Sequence, residues 1–349
     1  GDPSGKSDER NLLSVDVLRA NVAGLNHQMR RFLDFDAGDN SAVMVNNFDW
    51  MQRFSYLDFL RDIGKNFPVN VMMAKDSVKS RLAGETGISY TEFSYMLLQA
   101  YDFVHLNAEH GCDLQIGGSD QWGNITAGID LGRRMRGVQL YGLTCPLLTK
   151  SDGSKMGKTE QGAVWLSADR TSPYQFFQYW INVDDADAGN CLRMLTEVER
   201  EEVEALDAER ASDPGRRSSQ KRLAEELTRL VHGDEGLRAA QRATDIFFGA
   251  EISELSDQQL GQIFADVPSK ELPRARLEGD GLNLIDALVE SGLAKNKSDA
   301  RRTIQQGGAY VNNRRAEALD HALRNADLAS ETVMVLRSGK KRYALLRFQ

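Results

Sequence analysis

The sequence predicts an α/β domain built on a parallel sheet, then an all-helical region and a small C-terminal unit of two short helices and a β-hairpin. Three observations carry this expectation. Up to about Met156, helical and strand-like segments alternate. From about Thr171 to Ala265 strand signals vanish. The chain has 349 residues, more than one core usually organises, so two or three domains are expected.

Phe93 to Val104 places Phe93, Met96, Leu97, Ala100, Tyr101 and Val104 at helical spacing. Cys112 to Ile116 alternates as a short strand and runs into Gly117-Gly118, after which Gln121 to Met135 reads as helix. Strand, glycine turn and helix in that order put ligands at the carboxyl edge of a parallel sheet. Glu201–Arg210 and Gln220–Val231 are charged and amphipathic, with Leu223, Leu227, Leu230 and Val231 on one face. Residues 266–280, with Pro268, Pro273 and scattered charges, read as a linker. Leu282–Leu293 and Ser298–Gln306 follow as short helices, then Val333–Arg337 and Arg342–Phe348 as a hairpin turning at Ser338-Gly339. The boundaries expected are therefore 1–160, 161–265, a linker over 266–280, and 281–349.

Hydrophobic residues make up 41% and charged residues 27%, an ordinary balance for a globular chain. No run of about 18 apolar residues exists to suggest a membrane span. The start, Gly1-Asp2-Pro3-Ser4, lacks the profile of a signal peptide. Cys112, Cys145 and Cys191 form no metal-spaced pair and read as reduced thiols of a cytoplasmic protein. No metal ligand set is expected. The net charge of -8 is unevenly spread: from Gly281 onward there are 12 Lys/Arg against 7 Asp/Glu. A basic end on an acidic body points to RNA touched locally, although a solvated basic face would look the same.

Two segments carry chemistry. Lys150 to Thr159, KSDGSKMGKT, combines glycines, small polar residues and two lysines three apart, which suits a mobile loop closing on a polyphosphate. An ordinary polar surface loop has the same composition. Ile116 to Asn124, IGGSDQWGN, lets a ligand approach the backbone at the paired glycines, with Asp120 and Gln121 where a helix begins. There a carboxylate can bind ribose hydroxyls and a carboxamide a polar substrate. Read alone, Ser119 or Asp120 serves equally as an N-cap.

Together, IGGSDQWGNITAG and the KMGKT loop resemble the bacterial tyrosyl-tRNA synthetases, class I synthetases with a Rossmann-like catalytic domain. GDPSGKSDER at 1–10, NNFDW at 46–50, FLRDIGKNFPVN at 59–70, TEFSYMLLQAYD at 91–102, TSPYQFFQYWIN at 171–182 and LVHG at 230–233 extend the likeness over the whole chain. The resemblance implies that Asp2, Tyr95 and Gln99 bind the substrate ammonium and that Asp102 accepts a hydrogen bond from the tyrosine phenol. It implies Asn47, Trp50 and Gln121 as further pocket residues, and Gly118 and Asp120 as holders of the adenylate. Lys6, Arg10, Lys155 and Lys158 match the basic positions that stabilise the pyrophosphate leaving group, with Met156, Gly157 and Thr159 completing the ATP loop. Gly157 and Thr159 replace the serines of a KMSKS loop, and both fit the tyrosine branch.

The C-terminal stretch is similar to a small α+β RNA-binding fold shared with a ribosomal protein, which makes Arg301, Arg302, Arg314, Arg315, Lys340, Lys341 and Arg342 candidates for tRNA phosphate contacts. ATP as substrate, Mg²⁺ carried with it, L-tyrosine, tyrosine tRNA and a homodimer are implied in the same way. None of the five histidines stands in a His-x-Gly-His pattern, and the chain opens where the family has already completed its first βαβ unit. The catalytic domain is thus expected to be incomplete at its N-terminus, and these 349 residues alone to be inactive. Two other functions are weighed: an inactive RNA-binding relative, and a different adenylate-forming nucleotidyltransferase, whose stability would not respond to tyrosine.

Overall fold

The computed structural model describes residues 2–3, 13–84, 87–154, 156–159, 162–252, 255–264 and 267–349, with residues 158 and 159 described in their backbone. The chain divides into two compact units, Gly1–Met156 and Gly157–Gln349.

The first unit begins with helices α1 (Val15–Met29), α2 (Phe48–Met51), α3 (Tyr56–Asp62), α4 (Val69–Met73) and α5 (Asp76–Leu82). Its centre is a βαβ unit. Helix α6 (Tyr90–His110) is started by the Ser89 hydroxyl, which accepts from the Glu92 N–H, and stopped by Gly111 at φ 64°. Strand β1 (Leu114–Gly118) pairs in parallel with β2 (Tyr141–Cys145), and α7 (Trp122–Arg136) crosses between them. Helices α6 and α7 approach closely because Gly128 has no side chain: a Cβ there would stand 2.9 Å from the Phe103 ring. Ala100, Phe103 and Leu131 are fully or almost fully buried at this seam.

Arg81 and Glu92, both nearly inaccessible, form a two-pronged ion pair at 2.7 and 2.8 Å, and Arg81 Nε also donates to the Gly87 carbonyl. The pair fastens α5 to the start of α6, and removing one partner would strand a buried charge at a cost of about 3–5 kcal/mol.

The second unit opens with a hairpin, β3 (Lys158–Thr159) and β4 (Gly162–Ala163). Helices α8 (Pro173–Ile181), α9 (Asp185–Leu195), α10 (Arg200–Ser212), α11 (Ser218–Phe247) and α12 (Asp257–Ile263) follow, with no strand among the described residues between β4 and Ile263. Helix α8 starts with a complete capping box between Ser172 and Gln175 and a proline at its first turn. Gly233, at φ 73°, kinks α11.

The segment expected as a linker is structural. Strand β5 (Ser269–Leu272) pairs in parallel with β11 (Arg342–Phe348), and Leu272 and Leu277 are buried in the C-terminal core. Pro273 falls just past the strand, where no amide is needed for the ladder. Beyond it come β6 (Leu282–Asn283), α13 (Leu284–Glu290), α14 (Lys297–Gln305), β7 (Ala309–Val311), β8 (Arg314–Arg315), β9 (Ala322–Leu323) and β10 (Val333–Ser338). Helix α13 starts two residues later than its apolar pattern suggested, since Leu282 and Asn283 pair with Leu323 and Ala322. The five-stranded sheet has the order β5-β11-β10-β7-β8.

All six residues of β10 are buried because both sheet faces are covered. Met334, Leu336, Ala344 and Leu346 meet Leu284, Leu288 and Ile304 on one side. Val333, Val335, Tyr343 and Leu345 meet Ile246, Leu260 and Phe264 on the other. The boundary expected at 265 therefore crosses a shared core: α11 and α12 of the helical region cover one face of the C-terminal sheet.

Candidate active site

The site residues of the first unit gather on α6, on the β1–α7 turn and on α2. Tyr95, Gln99 and Asp102 lie four and three apart on α6, so they share one half-buried face. Asp102 is held by two donors distant in sequence. Asn47 Nδ2 donates to Oδ2 at 3.0 Å and Trp50 Nε1 to Oδ1 at 2.8 Å. The Trp50 ring is stacked on His105 at 4.4 Å, which fixes the indole donor. Burial pushes the Asp102 pKa up, opposed by these two hydrogen bonds and by His105. With one lone pair of each oxygen used, the carboxylate keeps acceptor capacity for a further O–H group. Asn47 and Trp50, expected as pocket lining, act here by orienting Asp102.

A second group forms at the β1–α7 turn. Gln121 Nε2 donates to Asp2 Oδ2 at 2.9 Å, and Asn124 Nδ2 reaches both Asp2 Oδ1 at 3.4 Å and Gln121 Oε1 at 3.3 Å. Asn124 was missed in the sequence, although it stands in the same motif three residues after Gln121, one helical turn away. The buried carboxamide ties Asp2 to α7, so a segment at the chain start becomes part of the site.

The turn itself excludes the capping alternative. The helix that follows is capped at Gln121 without any side-chain bond, and the preceding 3₁₀ turn begins at Gly118, also without one. Asp120 is exposed and caps nothing. A Cβ on Gly118 would come within 2.7 Å of the Asp120 carboxylate and 3.2 Å of Leu147. Glycine here lets the exposed Asp120 carboxylate lie close against the backbone, where it can accept from hydroxyl donors such as those of a ribose.

Lys6, Arg10 and Lys155 lie outside the described residues, as do the side chains of Lys158 and Thr159. Met156 is half-buried, and Gly157 has a φ of 80° that favours glycine. Before it, Ser154 N–H bonds to Asp152, lowering that carboxyl's pKa through the hydrogen bonds from Ser154.

In the C-terminal region the seven basic candidates divide. Arg314 turns to Glu251, on the α11 side of the sheet, and leaves the group. Arg302 pairs with Asp299 at 2.6 Å, and Arg342 bonds to the Ser338 hydroxyl at 2.9 Å. Arg315 pairs with Glu317 at 3.4 Å while its guanidinium lies over Gly307, where any side chain would collide with it. Gly339 N–H donates to the Gly308 carbonyl at 2.7 Å, bringing the β10–β11 turn, with exposed Lys340 and Lys341, against the end of α14. Arg301 is exposed on α14.

Among the described residues no group of His, Cys, Asp and Glu is arranged to hold a metal, and no described helix is long and apolar enough to cross a membrane.

A parallel βαβ unit with a glycine turn at its carboxyl edge and a polar pocket beside it fits the class I synthetases. The family model described as "tRNA synthetases class I (W and Y)" matches residues 1–249. A second model, "Tyrosine--tRNA ligase SYY-like C-terminal domain", matches residues 259–346. Among curated relatives, a protein of Rhodopirellula baltica named tyrosine–tRNA ligase is 61% identical over all of this chain and 80% of its own length. Another of that name from Geobacillus stearothermophilus is 48% identical over all of this chain and 82% of its own length. Of solved structures, a C-terminally truncated mitochondrial tyrosyl-tRNA synthetase of Aspergillus nidulans matches with a TM-score of 0.59 at 28% identity, covering 71% of this chain and 73% of that one. The corresponding Coccidioides posadasii structure matches with a TM-score of 0.55 at 31% identity over 69% and 70%. The chain belongs to the tyrosyl-tRNA synthetase family.

Proposed function

We propose that the protein is a tyrosine–tRNA ligase. The tyrosine carboxylate attacks the α-phosphorus of ATP, forming tyrosyl-adenylate and expelling pyrophosphate. A hydroxyl of the terminal ribose of tyrosine tRNA then attacks the activated carbonyl and releases AMP. The observation that carries this reading is the Asp102 carboxylate, aimed by Asn47 and Trp50 and sharing a helix face with Tyr95 and Gln99. A partly buried acceptor with spare capacity is satisfied by a phenol and left unmatched by a benzyl side chain.

Asp2, Tyr95 and Gln99 receive the ammonium end, Gln121 lines the pocket, and the bonds from Gln121 and Asn124 keep the Asp2 carboxylate in register. Gly118 and Asp120 take the ribose of the adenylate. Lys6, Arg10, Lys155 and Lys158 meet the charge that develops on the leaving pyrophosphate, so catalysis comes from positioning and electrostatics rather than from a general acid or base. Mg²⁺ arrives as part of the nucleotide substrate, bound mainly through phosphate and water. Arg301, Arg302, Arg315, Lys340, Lys341 and Arg342 form the group that meets tRNA phosphates. The working unit is a homodimer in the cytoplasm. Tyr56 and Leu57, neighbours on α3, are 62% and 74% exposed, the Tyr56 hydroxyl bonds that of Tyr90 at 3.2 Å, and a second copy would cover this apolar surface.

The test is ATP–pyrophosphate exchange by the protein expressed from its complete coding sequence. Exchange that appears with tyrosine and not with tryptophan or phenylalanine is the expected result. Binding of tyrosine without any exchange would overturn the ligase reading.

A further inference from the structure

The backbone that follows the KMG sequence is tied to helix α8 at two points. Gly157 N–H donates to the Tyr179 hydroxyl at 2.9 Å. Trp165 N–H donates to the hydroxyl of Thr171, the buried residue just before the helix cap, also at 2.9 Å. Between these two ties lies the β3–β4 hairpin, with Lys158 as its first residue. Gly157 is held on its other side as well, since its carbonyl accepts from Val164 N–H at 2.9 Å. The second tie is reinforced by Arg170, whose guanidinium lies 4.2 Å over the Trp165 ring.

Among the described residues, the hairpin faces helix α8 across a gap. A cavity of about 540 Å³ lies there, with Ala163 and Val164 on one wall and Arg170, Gln175, Gln178 and Tyr179 on the other. Hydrogen bonds link the backbone on either side of the hairpin to the start and the body of the helix. Gly157 is also the point at which small changes act most strongly. Its φ of 80° is left-handed, and rotation about this residue redirects every group after it.

We propose that Tyr179 is a positioning residue for the phosphate-binding loop. Its hydroxyl fixes the Gly157 peptide and so the backbone that continues into the hairpin. The proposal rests on the reading that residues 155–159 act on the nucleotide, where a preoriented cation contributes most to the transition state.

The test compares Tyr179→Phe and Tyr179→Leu with the unmutated protein, all made from the complete coding sequence. Phenylalanine keeps the edge-on contact of this ring with Trp180 and removes only the hydroxyl. The expected result is a fall of about fivefold or more in kcat for tyrosine-dependent pyrophosphate exchange with Tyr179→Phe, with KM for tyrosine and the melting temperature unchanged. Tyr179→Leu should show the same loss in kcat together with a lowered melting temperature. A Tyr179→Phe protein with full kcat would overturn the proposal. So would a loss that appears equally in tyrosine KM and in melting, since that marks a packing role. Failure of the unmutated protein to exchange is a separate result, and it removes the ligase reading itself.

Discussion

At the scale of single residues, Asp102 shows what the sequence could and could not give. Its place on one face with Tyr95 and Gln99 follows from spacings of three and four on a helix. Its two donors stand 55 and 52 residues earlier, at the start of and within a short helix that no periodicity connects to α6. Asn124 was missed for a different reason: an asparagine in a helical first turn has many uses, and only Asp2 beside it shows this one. Because burial raises the Asp102 pKa, protonation begins above the ordinary aspartate range. In the folded protein the neutral form is favoured, so the stability this group contributes is present at low pH and is lost as pH rises through the raised value. Tyrosine binding runs the opposite way, because the phenol donates its hydrogen bond best to an ionised carboxylate. Tyrosine affinity measured by titration between about pH 4 and 7 should weaken on acidification, starting above the usual aspartate pKa. Asp102→Asn should flatten that dependence, and a flat profile in the unmutated protein would contradict the assignment.

Elements were legible where their pattern was local. The strand-turn-helix around IGGSDQWGN, helix α10 and the final hairpin match their apolar spacing to within a few residues, whereas α11 continues past the expected end at Val231, through a kink at Gly233, to Phe247. Strand β5 was not legible. It has four residues, of which Leu272 alone is buried, and its hydrogen bonds come from a strand more than 70 positions later. Prolines and charges on either side then read as a linker. The seam of α6 and α7 is a packing relation that sequence spacing hides entirely, since Gly128 in a helix looks merely unfavourable. Gly128→Ala would drive a methyl group against the Phe103 ring and the Cβ of the same residue. It should destabilise the protein by about 1–3 kcal/mol in spite of alanine's higher helix propensity. Thermal or urea unfolding gives the answer, and a stabilised variant would show that the helices can part at little cost.

At the scale of the molecule, the charge asymmetry was readable from composition, and the basic groups do collect around α14 and the β10–β11 turn. Arg314 departs from them because adjacent residues on a strand face opposite ways. The domain plan was less readable. Continuous apolar residues in β10 announce a strand buried on both faces, but nothing in them says that α11 and α12 supply one cover. The first unit carries the central chemical proposal, that the pocket around Asp102 takes a phenol. The direct measurement is calorimetric titration of tyrosine and of phenylalanine into the unmutated protein and into Asp102→Ala. The account predicts that the substitution weakens tyrosine by about 1.5–3 kcal/mol, the range for a hydrogen bond to a charged group, and leaves phenylalanine no weaker, so that the preference collapses. Undiminished preference for tyrosine in Asp102→Ala would contradict it.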